Sequence, residues 1–240
     1  AVDHATIAVN RGASLPHESN AYIAALRTLI AALAESGRLD AAWTHCQTLS
    51  ALVDDGLLSQ LAGEIYWVIG NVAFMRHDVE EGIKNHARAG RLLSPASDLA
   101  LWARFNKATA SVRLSAGVVE PETLEAIERA ELAQSVVGAN AADALEVSMI
   151  RAHWHYLSGD MGVALELLTK LRENRDQLAK HTAGEATLLL GKTLKALGRG
   201  AEALEILTEA RDLFAAAGAT DKVALAMDNI LEIRASSHRA

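Results

Sequence analysis

The sequence predicts an all-α fold of about five helical hairpins followed by a capping helix. Half of the 240 residues are hydrophobic, 4% are aromatic, and the chain contains three prolines. Alanine makes up about a fifth of the chain, and residues that favour strands are scarce, so helix is the expected secondary structure. A pattern that recurs about every 40 residues indicates that the helices form a repeating array, a solenoid.

The repeated feature is a small residue followed directly by a large apolar one. These pairs begin at positions 42, 82, 126, 164 and 203, which gives spacings of 40, 44, 38 and 39 residues. The residues four and seven positions after each start are mostly small or apolar as well. Offsets of 0, 1, 4 and 7 trace one face of a helix. Each repeat is therefore predicted to place its second helix, helix B, at these positions.

A turn is predicted before each B helix. In four units the residue five positions before the small residue is a glycine or a histidine: Gly37, His77, Gly159 and Gly198. Glycine adopts positive φ easily and can end the preceding helix, so each unit is predicted to be helix A, tight turn, helix B. In the third unit Gly117 lies nine residues before Ala126, and residues 118–121 lengthen the turn. Pro121 suits a first helical position.

The A helices are the amphipathic segments that precede each B helix. They are predicted at residues 19–36, 59–76, 97–116, 142–158 and 184–197. Residues 1–10 carry alanines at the same offsets and are predicted to be the last helix of a truncated preceding repeat, within an N-terminal segment 1–17. The repeat domain is predicted to span residues 18–236, with a tail at 237–240. Its last helix, at 221–234, either caps the array or begins a sixth unit.

The repeats resemble those of the tetratricopeptide (TPR) family over roughly residues 19–236. The resemblance rests on small residues at set positions in units two and five: Gly70, Gly82 and Ala89, and Gly191, Gly198, Ala203 and Ala210. It implies a right-handed superhelical solenoid whose A helices line a concave groove. Repeats of about 40 residues resemble the sensor domains of bacterial regulators. These include Xre-type quorum regulators with an N-terminal helix-turn-helix, and large activators related to the maltose regulator.

Residues 101–108 and 127–131 also resemble actinobacterial helix-turn-helix regulators. That resemblance implies a DNA-binding domain before residue 1, so that the present segment would contact DNA through that domain alone. The net charge of −7 also argues against direct binding of this segment to the phosphate backbone of DNA. The resemblance further implies a homodimer, and Val223, Met227 and Ile230 give the last helix an apolar stripe that a second chain would cover.

Location and chemistry are constrained by what the sequence lacks. The longest uncharged apolar run is too short to cross a bilayer, and the chain opens without a signal peptide, so neither a membrane span nor secretion is expected. The single cysteine, Cys46, fits a reducing cytoplasm. Gly191-Lys192-Thr193 ends like a phosphate-binding loop, but Ala186 stands where its first glycine is required.

Neither a metal site nor a catalytic site is expected. His153 and His155 are two residues apart on a helix and point in different directions. His77 and Glu81 share a face without an evident third ligand. Cys46 falls at a core position of its B helix, where a thiol behaves as a small hydrophobe. We therefore expect a binding protein rather than an enzyme, with no cofactor and no metal.

The predicted binding surface is the groove lined by the A helices. The family's groove positions, carried over to this sequence, are Arg27, Glu64, Trp67, Asn71, Phe74, Asn106, Lys107, Met149, His153, Tyr156 and Lys192. The sequence leaves open which way the third A helix is turned, and hence whether Asn106 or Lys107 faces the groove. Asparagine amides can bind a peptide backbone, aromatic rings can anchor apolar side chains, and basic residues can meet a carboxylate. The clamp of chaperone adaptors is disfavoured, because Ala31 stands where that clamp needs an asparagine.

Two functions remain open from the sequence. The first is a ligand- or peptide-sensing domain of a bacterial transcription regulator. The second is a general protein–protein interaction scaffold without a regulatory small ligand.

Overall fold

Every regular element is helical in the part of the chain that the computed structural model describes, which is residues 1–12, 19–56, 61–138 and 140–237. The α-helices, in chain order, are α1 (Val2–Gly12), α2 (Asn20–Glu35), α3 (Leu39–Asp54), α4 (Ala62–Met75), α5 (Val79–Leu92), α6 (Leu99–Ser115), α7 (Pro121–Val137), α8 (Ala141–Leu157), α9 (Met161–Glu173), α10 (Lys180–Ala196), α11 (Gly200–Ala217) and α12 (Thr220–Ser237). A short 3₁₀ turn covers Arg175–Gln177. The predicted all-α hairpin fold is confirmed.

The chain divides into two compact units, Ala1–Ala116 and Gly117–Ala240, each of which contains several repeats. From here on, we call these two parts of the chain the first unit and the second unit. The first unit contains α1 and the A and B helices α2/α3 and α4/α5, followed by the A helix α6. The second contains the B helix α7, the hairpins α8/α9 and α10/α11, and the A helix α12. In both units most helices pack against the next one along the chain, whereas α6 packs mainly against α4.

The helix boundaries agree with the prediction to within a few residues. The largest difference is at α10, which begins at Lys180 instead of residue 184. The predicted start of the second A helix at residue 59, and the predicted boundary between residues 17 and 18, lie outside the described residues. Pro121 is the first residue of α7, as expected from its missing N–H.

The turns between A and B helices have the predicted backbone. Positive φ angles occur at Gly37 (75°), Gly117 (76°), Gly159 (86°) and Gly198 (75°). His77 takes the same role with a φ of 62°, the one positive value for a non-glycine among the described residues. A histidine there accepts a conformation that costs about 1 kcal/mol relative to glycine.

Close helix packing explains why small residues recur. Ala42, Ala164 and Ala203 are fully buried, and Ala126 is nearly so. A Cβ added to Gly191 would lie 2.6 Å from Leu207 Cγ, so α10 and α11 approach too closely for any side chain at that position. Gly191 therefore lies where α10 and α11 come closest together.

The last helix does not present the predicted apolar stripe. Ile230 is buried and Val223 half-buried, because both pack into the core that α12 shares with α10 and α11. Met227 lies on the same side of the helix but is 38% exposed. The expectation that Val223, Met227 and Ile230 form one exposed face is therefore wrong.

Candidate functional site

The predicted groove residues of the first unit mostly have partners within the chain. Arg27 of α2 donates from Nη2 to Glu64 Oε2 of α4 at 2.7 Å, so the two charges neutralise each other. The Nε2–H tautomer of His86 donates to Asn71 Oδ1 at 3.0 Å, so this oxygen already accepts a hydrogen bond. These pairs tie neighbouring helices together.

The aromatic residues of the first unit also serve packing. Trp67 makes an edge contact with Phe105, with ring centroids 5.7 Å apart. Phe74 is buried against His86 and Gly82, and a Cβ at Gly82 would come within 2.7 Å of its ring. Phe74 therefore lies in the core and not on a groove surface, which corrects the expectation for this residue.

Two predicted polar residues of α6 also have partners within the chain. Asn106 is buried, and its Nδ2 donates to the Trp102 carbonyl oxygen at 2.7 Å. It is a core residue, contrary to the groove assignment. Lys107 is half-buried and takes part in an interaction within the protein.

His86 is kept neutral by its surroundings. Burial among Phe74, Phe105 and the helix backbone, together with the nearby Arg113 guanidinium, lowers the pKa of His86 to about 3 from its ordinary value of 6.5. The charged form would lose its hydration in this environment. His86 is therefore a structural histidine at neutral pH.

The predicted groove residues of the second unit form a different arrangement. Met149, His153 and Tyr156 lie along α8, and Lys192 lies on α10. All four side chains are half-buried. The Lys192 ammonium sits over the Tyr156 ring, with Nζ 5.4 Å from the ring centroid. We call these four residues the unit 2 A-face.

The lysines on either side of Lys192 have acidic partners. Lys222 of α12 lies 3.1 Å from Glu185 Oε1, and Lys195 pairs with Glu232. For Lys192, no carboxylate lies within ion-pair distance of Nζ in the part of the chain that the structure describes. Burial and the two neighbouring lysines lower the pKa of Lys192 from its usual range. One positive charge is therefore left without an opposite charge.

His153 is also neutral on this face. Burial and the nearby Lys192 lower the pKa of His153 to about 4. A neutral imidazole can donate one hydrogen bond and accept another without adding charge. Lys192 is therefore the source of the local positive charge on the unit 2 A-face.

Most residues considered for a phosphate-binding loop, a nucleophile or a metal site lie within helices. Gly191, Lys192 and Thr193 lie inside α10, so they do not form a phosphate-binding loop. Burial raises the pKa of the Cys46 thiol to about 12. His155 Nδ1 lies 3.2 Å from Asp160 Oδ2, at the end of α8. Across the described ranges, no three His, Cys, Asp or Glu residues form a group suited to a metal ion.

Sequence reasoning missed the contribution of α12 to this site. Lys222, Asn229 and Glu232 contact residues of α10 and continue the face that Lys192 occupies. A signal was present: Lys222 follows Glu185 by 37 residues, and Glu232 follows Lys195 by the same interval. Opposite charges about one repeat apart indicate that the last helix stacks as an A helix.

No helix in the described ranges has both the length and the apolar character needed to cross a bilayer. No family model and no curated protein sequence matches the chain. Solved structures do match its fold. TPR-like repeats of a putative kinesin light chain from Podosopora anserina align at 18% identity with a TM-score of 0.63, covering 85% of this chain and 99% of that one.

Two further structures cover nearly the whole chain. The apo form of RapI aligns at 16% identity with a TM-score of 0.65, over 99% of this chain and 67% of RapI. BtubC (BKLC) from P. vanneervenii aligns at 16% identity with a TM-score of 0.61, over 99% of this chain and 91% of that one. At this identity the likeness defines the fold alone: the protein has a TPR-like helical repeat fold.

Proposed function

We propose that this protein is a binding domain for a peptide or protein segment, and that the ligand occupies the unit 2 A-face. One observation carries the proposal: Lys192 is a half-buried cation that lacks an acidic partner in the described chain, while the neighbouring lysines are paired. Met149 and Tyr156 add apolar surface, and His153 adds a neutral hydrogen-bonding group. A few polar groups among apolar side chains are typical of ligand sites.

The first unit is a weaker candidate. Its basic groove residue Arg27 is bound to Glu64, Asn71 accepts from His86, and Phe74 and Asn106 are buried. A ligand would have to break these contacts before it gained its own. Binding in the first unit therefore costs more than binding in the second.

The wider role we propose is that of a sensor domain in a cytoplasmic bacterial transcription regulator. The resemblance of the 40-residue repeats to such sensor domains supports this role, as does the likeness to RapI, a protein described in an apo form. In this role the regulator acts as a homodimer and reads DNA through a helix-turn-helix domain before residue 1. Ligand binding would alter the stacking of the repeats and hence the spacing of the two DNA-binding domains.

The alternative is a protein–protein interaction scaffold without a regulatory small ligand. Its support is the likeness to the kinesin light chain repeats. The gene separates the two roles: a helix-turn-helix encoded directly upstream of residue 1 favours the regulator, and a start codon there favours the scaffold. In both roles we propose that the chain is not an enzyme: Cys46 is buried, and the described residues include no group of three His, Cys, Asp or Glu suited to a metal ion.

Affinity selection from a synthetic pool of random octapeptides tests binding at the unit 2 A-face. The immobilised wild-type protein is compared with a Met149→Ala/Tyr156→Ala variant and with a Glu166→Ala/Lys170→Ala control, altered on the exposed side of α9. We expect wild type and control to retain the same peptides, identified by mass spectrometry, and the A-face variant to lose them. No retention above blank resin by wild type, or equal retention by both double variants, would overturn the proposal.

A further inference from the structure

The second unit contains a cavity on the side of α10 that faces away from Lys192. The cavity has a volume of about 250 Å³ and is formed by residues of α9, α10 and α11. Leu190 and Leu194 line it from α10. Each of these leucines lies two residues from Lys192, which places them on the opposite side of the helix. The cavity is therefore separate from the unit 2 A-face.

The inner wall of the cavity is apolar. Leu190, Leu194 and Ile206 are buried there. Leu165 adds a half-buried side chain from α9. Because an engineered apolar cavity of about 150 Å³ holds benzene, the present cavity has room for about ten non-hydrogen atoms. It can accept a small ligand whose apolar part is about as large as one branched side chain.

One end of the cavity carries an excess of positive charge. Arg172 lines this end, and its Nη2 lies 2.8 Å from Glu209 Oε2. Arg175 Nε lies 3.4 Å from the other oxygen of Glu209, so one carboxylate faces two guanidinium groups. Arg172 contacts Glu209 through Nε and Nη2, which leaves its Nη1 group to donate to a ligand. Guanidinium groups bind carboxylates through such N–H donors.

The middle of the cavity carries a negative charge. Glu205 of α11 lines the rim, and no basic side chain lies within ion-pair distance of it in the part of the chain that the structure describes. The other acid of the rim, Glu202, accepts two hydrogen bonds of 2.6 and 2.7 Å from Arg199. Glu205 lies four residues before Glu209, about 6 Å along the helix axis. An unbalanced negative charge and an unbalanced positive charge are therefore about one helical turn apart.

We propose that this cavity binds a small apolar amino acid in its zwitterionic form. The ammonium of the ligand donates to Glu205, its carboxylate accepts from Arg172 Nη1, and its side chain packs against Leu190 and Leu194. A zwitterion balances both charges of the cavity. A simple amine would leave the excess charge of the arginines, and a simple acid would leave that of Glu205. The proposed site adds a second ligand to the peptide-binding function, on the other side of α10.

NMR titration of the ¹⁵N-labelled chain with L-leucine tests this site. Three further probes each lack one of the groups that the cavity recognises. 3-Methylbutylamine lacks the carboxylate, 4-methylpentanoate lacks the amine, and glycine lacks the side chain. We expect L-leucine to shift the amide signals of α9 and α11 around the cavity, and each of the other probes to bind about tenfold more weakly or worse.

A charge variant tests the role of Glu205. Glu205→Gln removes an exposed charge and should weaken the binding of L-leucine about tenfold, without weakening that of 4-methylpentanoate. The matched control is Glu166→Gln, which alters an exposed glutamate of α9 outside the cavity and should bind L-leucine as wild type does. Circular dichroism first establishes that the three proteins have equal helix content.

Three results would overturn the proposal. They are the absence of shifts with L-leucine, binding of 3-methylbutylamine as tight as that of L-leucine, and equal affinity of Glu205→Gln and wild type for L-leucine. Retention of octapeptides at the unit 2 A-face is measured separately. Failure of the amino acid site therefore leaves the proposed peptide-binding function standing.

Discussion

The Lys192 ammonium lies over the ring of Tyr156, 5.4 Å from its centroid, and joins α10 to α8 in the second unit. An aromatic face attracts a cation through the ring's quadrupole, so Tyr156 stabilises the charged lysine in the absence of a carboxylate. Burial and the neighbouring Lys195 and Lys222 act in the opposite direction. The ring thus helps to keep a cation in a place where its hydration is incomplete.

Replacing Tyr156 by leucine should lower the pKa of Lys192 further. A cation–π contact of about 0.5–1 kcal/mol corresponds to a decrease of roughly 0.5 in pKa. The measurement is an NMR pH titration of the lysine side chains. Tyr156→Phe keeps the ring and should leave the pKa as in wild type. An equal decrease in both variants would mean that the hydroxyl, and not the ring, stabilises the ammonium.

Alanine at Gly191 should destabilise the protein although alanine is the better helix former. The added Cβ would lie 2.6 Å from Leu207 Cγ, and overpacking of this kind costs about 1–3 kcal/mol. Gly162 of α9 is the matched control, because a Cβ there meets no atom within 4 Å. Gly162→Ala should be neutral or stabilising by up to about 1 kcal/mol. Urea denaturation gives both free energies of unfolding, and equal values would contradict the close contact.

Acidification should destabilise the first unit through His86. Its pKa is about 3 in the folded protein and 6.5 when unperturbed, so the unfolded chain binds the proton more readily. The free energy of unfolding therefore falls as the pH drops below 6.5, by about 1.4 kcal/mol per pH unit, until the pH approaches 3.

Urea denaturation of wild type and His86→Gln at pH 7.5 and pH 5 measures this dependence. His153, with a pKa of about 4, contributes in the same direction, so the variant should lose part of the pH dependence and keep the rest. A His86→Gln protein as sensitive to acid as wild type would show that His86 is not the group responsible.

The Arg27–Glu64 pair should contribute to stability and not to peptide binding. Both side chains are about a quarter exposed, so solvent screens the pair and a coupling energy of about 0.5–1 kcal/mol is expected. A double-mutant cycle with Arg27→Gln and Glu64→Gln measures the coupling by urea denaturation. Retention of octapeptides by Arg27→Gln should equal that of wild type. Reduced retention would instead place ligand contacts in the first unit.

Cys46 should react with thiol reagents only when the protein unfolds. The side chain is 1% exposed, and burial raises the pKa of the thiol to about 12, so the thiolate is scarce at neutral pH. Mass spectrometry after iodoacetamide treatment should find Cys46 unmodified in buffer. It should find Cys46 alkylated in about 8 M urea, which unfolds the protein. Rapid alkylation under native conditions would show that α3 opens locally.

The hairpins could be predicted because their signals are local. The small residues at Ala164 and Ala203 follow from the space between two helices, and the glycine turns follow from positive φ. His77 could be assigned by its place in the repeat, although histidine seldom adopts that conformation. The helix boundaries could be predicted for the same reason, because they depend on nearby cap and turn residues.

The candidate site could be predicted only in part, because it depends on how far one helix is shifted along its neighbour. The repeat register placed Lys192 and Tyr156 on A helices, but not the ring beneath the ammonium. It likewise placed Asn71 in a groove without showing that His86 binds its oxygen. The sequence predicts a groove position for Phe74, because it does not reveal that the space left by Gly82 is filled by the Phe74 ring.

Ion pairs between the equivalent helices of adjacent repeats recur at an interval of 37 residues: Arg27–Glu64, Arg172–Glu209, Glu185–Lys222 and Lys195–Glu232. Their sign is reversed in the pair that begins with Glu185. A hairpin inserted from another position or protein would therefore have to carry, at this site, a charge opposite to that of the residue it meets on the adjacent hairpin. Grafting and shuffling experiments on this protein should accordingly treat two adjacent hairpins, with their bridging charges, as the smallest interchangeable module.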